Sequence, residues 1–287
     1  MNRHGLMGAQ NDGKIGIIGT GIVGSAIEYW FEKKFEIIVH DPKRGTKIED
    51  LISQTTFAYI AVPTPQNETT GECDVSILLE VLDQLPNEFT AVIKSTIIPG
   101  TTDMLMDKYP NLKLAFSPEF LVERRFIEDF GNQDLVIVGT LHDEIAKTVF
   151  NHHKIAGVLE DDATCVQLKP IEAELVKYTK NTFYALKVIF ANQMYDICQA
   201  LGVDWSIVKD TILSTNKQAI GPSHLGPIRG IRRGFGGKCL PKDTVALSVL
   251  ADQLNVKYDF LDAILSDNQK LRKIRTGKPS EISSNDD

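Results

Sequence analysis

The ten residues GFGGKCLPKD (Gly234–Asp243) hold a thiol, two ammonium groups and a carboxylate, and four of them are Gly or Pro. Such a stretch reads as a loop. A nucleophilic Cys needs thiolate character and open space above its sulfur. Neighbouring Lys lowers a thiol pKa and glycines leave room, and Cys239 has both. Asp243, four residues on, could orient or deprotonate a water. By default a lone Cys is a small packing residue. Cys73, Cys165 and Cys198 are read that way, and no metal or disulfide-framework spacing links the four cysteines. A second pair, Lys177 and Asn181, stands four apart on a predicted helix and shares one face. A cation and a neutral donor so placed can hold an alkoxide as it forms. An isolated pair of this kind would be read as solvated, but the helix carrying it is otherwise apolar.

GTGIVG (Gly19, Gly21, Gly24) has the G-x-G-x-x-G spacing, follows a predicted strand and opens a predicted helix. Asp41 ends the next strand, 17 residues past Gly24. Together these point to a dinucleotide. Gly19 permits the tight turn, Gly21 the approach of backbone to a pyrophosphate, and Gly24 the close packing of the helix. That helix begins with Ile22 and Val23 and offers N–H groups to phosphate. Asp41 would accept from a ribose 2′-hydroxyl and repel a 2′-phosphate, which favours NAD. Lys43 and Arg44 follow at once and pull the other way. Three further clusters end predicted strands: AVPTP with Thr64, KSTIIPG with Ser95 and Thr96, and SPEFLVE with Glu119 and Glu123. Ligands of open α/β sheets gather at such ends, so the clusters could converge.

These residues need a scaffold. Apolar runs at 14–19, 35–41, 57–63, 90–96, 112–118 and 134–139 predict strands, and Ile22–Phe31, Val75–Gln84 and Thr101–Tyr109 predict helices between several of them. The alternation predicts an α/β, Rossmann-like, doubly wound and mostly parallel sheet over residues 14–160. Beyond it, Pro170–Leu201 has no Gly and no internal Pro, and predicts one long helix closed by Gly202. Its apolar surface on more than one side suits a homodimer core. Shorter helices are predicted at Trp205–Leu213, Thr244–Leu254 and Asp259–Arg272, which makes 161–272 a helical domain. Residues 1–13 and 273–287 are expected to be disordered tails.

The chain has 287 residues, 43% hydrophobic and 24% charged, with a net charge of −7. That balance speaks against a general affinity for nucleic acid or anionic membrane. The amino terminus lacks the apolar core of a signal peptide, and no run has the length of a membrane span. A cytoplasmic setting is expected, and no metal site is predicted.

Taken together, GTGIVG, VPTP, KSTIIPG, SPEFLVE, the Lys177/Asn181 helix and GFGGKCLPKD resemble the UDP-glucose/GDP-mannose dehydrogenase family over roughly residues 14–270, in order as well as content. The resemblance makes Cys239 catalytic. It implies an NAD-dependent, four-electron oxidation of a nucleotide-sugar C6 alcohol to the carboxylate, with UDP-glucose as the expected substrate. Lys177 and Asn181 would stabilise charge on oxygen, Cys239 would form a thiohemiacetal and then a thioester, and Asp243 and Glu119 would handle protons. By the same likeness Thr96 and Glu123 lie near the nicotinamide and the attacking water, Thr64 lines the cofactor, and Phe120, Phe235 and Gly236 touch substrate.

There are departures. The stretch between Asp41 and TTFAYIAVPTP is short for the family, and the chain ends soon after the helices, where family members carry another α/β domain. Arg229, Arg232 and Arg233 crowd the segment before the Cys loop, and their guanidinium forks suit the substrate diphosphate. A solvated basic loop is the plain alternative. Two other readings stand. A β-hydroxyacid dehydrogenase would share the cofactor fold and a Lys–Asn pair but would remove two electrons and need no Cys. An inactive NAD-binding dimer partner would need neither.

Overall fold

All six predicted apolar runs become strands of one sheet. The computed structural model describes residues 13–65, 73–121, 123–214, 228–229, 232–233, 235, 252, 255–257 and 259–273. Residues 1–12, the Cys loop from Gly236 to Asp243, nearly all of the helix predicted at Thr244–Leu254, and residues 274–287 lie outside them. The elements run β1 (Lys14–Ile18), α1 (Ile22–Phe31), β2 (Glu36–His40), α2 (Ile48–Ile52), β3 (Phe57–Ile60), α3 (Ser76–Leu82), β4 (Thr90–Ile93), α4 (Thr101–Lys108), β5 (Lys113–Phe116), α5 (Phe126–Phe130), β6 (Gln133–Gly139), α6 (Asp143–Ala156) and β7 (Leu159–Leu168). There follow α7 (Pro170–Leu201), α8 (Trp205–Leu213), the two-residue strands β8 (Ile228–Arg229) and β9 (Arg232–Arg233), and α9 (Asp259–Arg272). The chain forms two compact units, residues 1–181 and 182–287, and the division falls inside α7. Among the described residues no helix is long and apolar enough to cross a membrane.

The sheet order is β2-β1-β3-β4-β5-β6-β7. β2, β1, β3, β4 and β5 are parallel neighbours, β6 runs antiparallel to β5, and β7 runs parallel to β6. The inner strands are largely apolar because both faces are covered: every residue of Phe57–Ile60 is buried. One face packs against Ile48, Leu51, Leu78, Leu82 and Leu105 of α2, α3 and α4. The other packs against Ala26, Ile27 and Phe31 of α1 and Ile145 and Val149 of α6. From β1 the chain passes first to β2 on one side and then to β3 on the other. That reversal opens a crevice at the carboxyl ends of β1 and β3, the ligand position of such sheets.

Strand β7 is not marked in the sequence. Of its ten residues LEDDATCVQL none is fully buried and five are exposed, so no buried face signals it, and it is defined by its ladder to β6. α6 buries Ile145, Val149 and His153 at four-residue spacing and ends at Gly157 with φ +69°.

α6 also buries two imidazoles against Phe31, Phe57 and Phe130. Tyr59 Oη and His152 Nδ1 share a hydrogen bond of 2.9 Å. His153 Nδ1 donates to the Val149 carbonyl at 2.8 Å, which leaves Nε2 as a buried lone pair with no partner. Burial pushes His152 down to about 4 and His153 down to about 3. Below about pH 6.5 the unfolded chain takes up two protons that the fold refuses. The stability these neutral rings allow is therefore complete above about pH 6.5 and is lost as pH falls toward about 4, by roughly 1.4 kcal/mol per pH unit for each ring. His153→Leu is expected to remove about half of this acid slope, read by urea unfolding at about pH 7, 6 and 5.

Candidate active site

A cavity of about 540 Å³ sits at the carboxyl ends of β1, β3 and β4, lined among others by Gly19, Gly21, Ile22, Val23, Asp41 and Thr96. Gly19 has φ +88°, and a Cβ there would meet the Ala61 carbonyl oxygen at 2.7 Å. A Cβ on Gly24 would lie 1.9 Å from the Gly19 carbonyl oxygen. One on Gly21 would meet nothing within 4 Å, so the space a pyrophosphate needs is open at that glycine. Gly21 is also the N-cap of α1 and no side chain caps the helix, so backbone N–H groups are left for an anion.

Asp41 closes the far end. It is 8% exposed. The Thr20 N–H and hydroxyl both donate to its Oδ2, at 2.8 and 2.5 Å, and the Lys43 N–H donates to Oδ1 at 2.9 Å. These bonds, the Thr20 hydroxyl foremost, hold its pKa below the ordinary value and keep it an acceptor for ribose hydroxyls. The cradle, the bare helix terminus and the fixed carboxylate fit NAD. Thr64 stands beside this cavity, its hydroxyl donating to the Thr96 carbonyl at 2.7 Å.

A second cluster is built where β4 and β5 end. Lys94 leaves β4 with 3% exposure and its ammonium donates to Ser117 Oγ at 3.0 Å. The same ammonium forms a buried ion pair with Glu119 Oε1, an oxygen that accepts no well-aligned hydrogen bond. Lys177 donates to the Glu119 backbone carbonyl. Desolvation lowers the Lys177 pKa, with the Glu119 charge opposing the shift. The Lys177 and Lys180 ammonium groups lie 5.1 and 4.1 Å from the Phe120 ring centroid.

Lys177 owes its place to Glu174, one turn earlier and fully buried. The Glu174 carboxylate accepts from the Gly100 N–H at 2.5 Å, the Thr102 N–H at 2.8 Å and the Thr102 hydroxyl at 2.6 Å. A carboxylate at the first turn of α4 meets both the unpaired N–H groups and the positive end of the helix.

Glu119 and Phe120 also line a second cavity of about 500 Å³, with Arg125, Asp129 and Lys180. Lys94 lines the first cavity. The Lys94–Glu119 pair is thus a partition, joining a residue that lines the dinucleotide crevice to one that lines the neighbouring cavity.

The predicted residues distribute as follows. Gly19, Gly21, Ile22, Val23, Asp41 and Thr96 share one cavity, with Gly24 and Thr64 supporting it. Glu119, Phe120 and Lys177 meet at the partition. Asn181 is exposed, one turn beyond Lys177. Glu123 begins a short 3-10 turn. Arg229 is the register partner of Arg232 in the antiparallel pair β8–β9, and Arg233 that of Ile228. At the entrance to the Cys loop both halves of one amide hold Phe235: its N–H donates to Asn268 Oδ1 at 2.8 Å and its carbonyl accepts from Asn268 Nδ2 at 3.1 Å. Gly236, Cys239 and Asp243 lie outside the described residues. Lys94, Ser117, Glu174 and Asn268 were not singled out from sequence. Lys94 left one signal, an ammonium directly after a buried apolar strand.

Family models place the chain. The model described as the UDP-glucose/GDP-mannose dehydrogenase family, NAD binding domain, matches residues 43–155, and that of the family's central domain matches residues 171–270. The UDP-glucose 6-dehydrogenase of Rickettsia typhi is 32% identical over 228 residues, 75% of this chain and 49% of its own length. The GDP-mannose 6-dehydrogenase of Azotobacter vinelandii is 27% identical over 256 residues, 81% of this chain and 56% of its own. The GDP-mannose dehydrogenase of Pseudomonas aeruginosa, solved as a ternary complex, superposes with a TM-score of 0.75 at 25% identity, covering 90% of this chain and 68% of that one. This chain spans about half the length of the curated relatives it matches. With a dinucleotide crevice at the sheet's switch point and both domain models matched in order, the chain belongs to the UDP-glucose/GDP-mannose dehydrogenase family.

Proposed function

We propose that the chain oxidises the C6 alcohol of a nucleotide sugar to the carboxylate, through a covalent adduct on Cys239, with UDP-glucose as the leading substrate. The observation that carries the reading is the partition: a half-buried Lys177 and a buried Lys94–Glu119 pair at the edge of an NAD crevice. NAD, when bound, accepts two electrons at each of the two oxidations. Lys177 holds the substrate oxygen as negative charge develops on it, with Asn181 as second donor. The Cys239 thiolate forms a C–S bond to the aldehyde carbon while the carbonyl π pair moves onto oxygen, whose negative charge the Lys177 ammonium stabilises. The resulting thiohemiacetal cannot leave, which lets one site oxidise twice. After the second oxidation the adduct is a thioester. Glu119 or Asp243 takes a proton from the water that attacks it, and the thiolate departs as the C–S bond breaks. Likeness of the FGGKCLPKD loop favours UDP-glucose, while relatives named for UDP-glucose and for GDP-mannose match to similar extents.

The diphosphate is assigned to the β8–β9 hairpin. The register pairs Arg229 with Arg232 and Ile228 with Arg233, and guanidinium forks suit a diphosphate. Arg229→Ala with Arg232→Ala is expected to raise the nucleotide-sugar KM by about 10- to 100-fold while leaving that for NAD unchanged. An unchanged sugar KM would return the arginines to a solvated loop. A homodimer through α7 belongs to the same proposal, supported by the exposed Ile171, Leu175, Tyr195 and Leu201. So does a cytoplasmic setting, supported by the unpaired Cys73, Cys165 and Cys198.

The deciding experiment is NADH counting with a panel of UDP- and GDP-sugars. Two NADH per product support the reading. One per product would point to a two-electron dehydrogenase. No turnover despite tight NAD binding would point to an inactive partner.

A further inference from the structure

Arg44 lies three residues past Asp41, in the 3-10 turn Pro42–Arg44 at the rim of the dinucleotide crevice. A guanidinium at this edge of the fold is what a 2′-phosphate needs. Arg44 is not offered to the crevice, however. Its Nη1 and Nη2 donate to Glu28 Oε1 and Oε2 of α1 at 2.7 and 2.8 Å, a two-pronged pairing in which each nitrogen has its own oxygen. Lys43 lines the crevice as well; its backbone N–H donates to Asp41 and its charge acts on the same carboxylate. Asp41 itself is fixed by Thr20 and Lys43, so it cannot swing away to admit a phosphate.

We propose that Glu28 is a specificity-determining residue for the dinucleotide: by latching Arg44 onto α1 it withholds the cation that would otherwise receive a 2′-phosphate, and so reinforces the choice of NAD over NADP. Glu28 acts on Arg44 in two ways. It competes for the guanidinium, and its charge repels an incoming phosphate. The Glu28 hydrogen bonds and charge, and to a smaller extent the Asp41 charge, raise the Arg44 pKa, so the guanidinium feels the carboxylate at the ribose edge as well as its partner on α1. Because the pair is partly exposed, its worth is modest and the effect is one of graded discrimination.

The test uses the full chain and binding alone. NADH affinity is read by its fluorescence, and NADP affinity by displacement of NADH. Glu28→Gln is expected to leave NADH affinity within about twofold and to tighten NADP binding about fivefold, and adding Arg44→Gln is expected to cancel the gain. Glu28 is on the surface of α1, and an unchanged thermal melt verifies the fold. Unaltered NADP affinity in Glu28→Gln would overturn the proposal, as would a gain that survives the loss of Arg44. Loss of NADH binding in Glu28→Gln would also overturn it, since Glu28 would then be supporting the crevice itself.

Discussion

Replacing Lys94 by Met is expected to cost the fold about 3–5 kcal/mol, and adding Glu119→Gln to return much of that loss. The two side chains are 1% and 6% exposed. An ammonium and a carboxylate out of water are tolerated because each neutralises the other and Ser117 takes a further hydrogen bond. Met fills the volume of the Lys stem but leaves a carboxylate buried without its cation, next to the fully buried Tyr59. With Gln at 119 as well, no uncompensated charge remains. A double-mutant cycle by denaturant unfolding measures the coupling. If Lys94→Met were destabilised by less than about 1 kcal/mol, the pair would have to be solvated rather than buried. The double variant is expected to be folded and inactive, which separates the stability of the partition from its chemistry.

The largest loss of activity is expected from Cys239→Ser, at least about a thousandfold in net conversion to carboxylate. A thiol ionises within reach of neutral pH, whereas a serine hydroxyl has no comparable anion there. The first oxidation does not need the sulfur, so a single-turnover measurement should still release up to one NADH per site. Steady production of two NADH per product by this variant would refute the covalent route.

Much of this architecture is legible in the chain. The glycines of GTGIVG and the acid at Asp41 can be read because backbone geometry imposes those residue types locally. The helices at 170–201 and 259–272 can be read because Pro, Gly and charge mark their ends. Lys94 and Glu174 were illegible as functional groups because their partners are supplied by the fold. Glu119 reaches Lys94 only when β5 is laid beside β4, and Glu174 reaches Gly100 and Thr102 only when α7 crosses the end of the sheet. β7 was missed for a different reason: an exposed edge strand announces itself by hydrogen bonds, which side-chain periodicity does not encode.

The Glu174 anchor divides the labour within α7. Three donors from the first turn of α4 fix the helix at the turn before Lys177, so the proposed oxyanion holder is set in the coordinate frame of the NAD-binding sheet. Residues 182–287 carry the arginine hairpin and the amide that holds Phe235. On the proposed reading, substitution of the arginines there would weaken the grip on the nucleotide while the Glu174 anchor before Lys177 stays in place. On the proposed chemistry, the group that holds the oxygen is therefore anchored in one unit, while the nucleophile Cys239 and the arginines belong to the other.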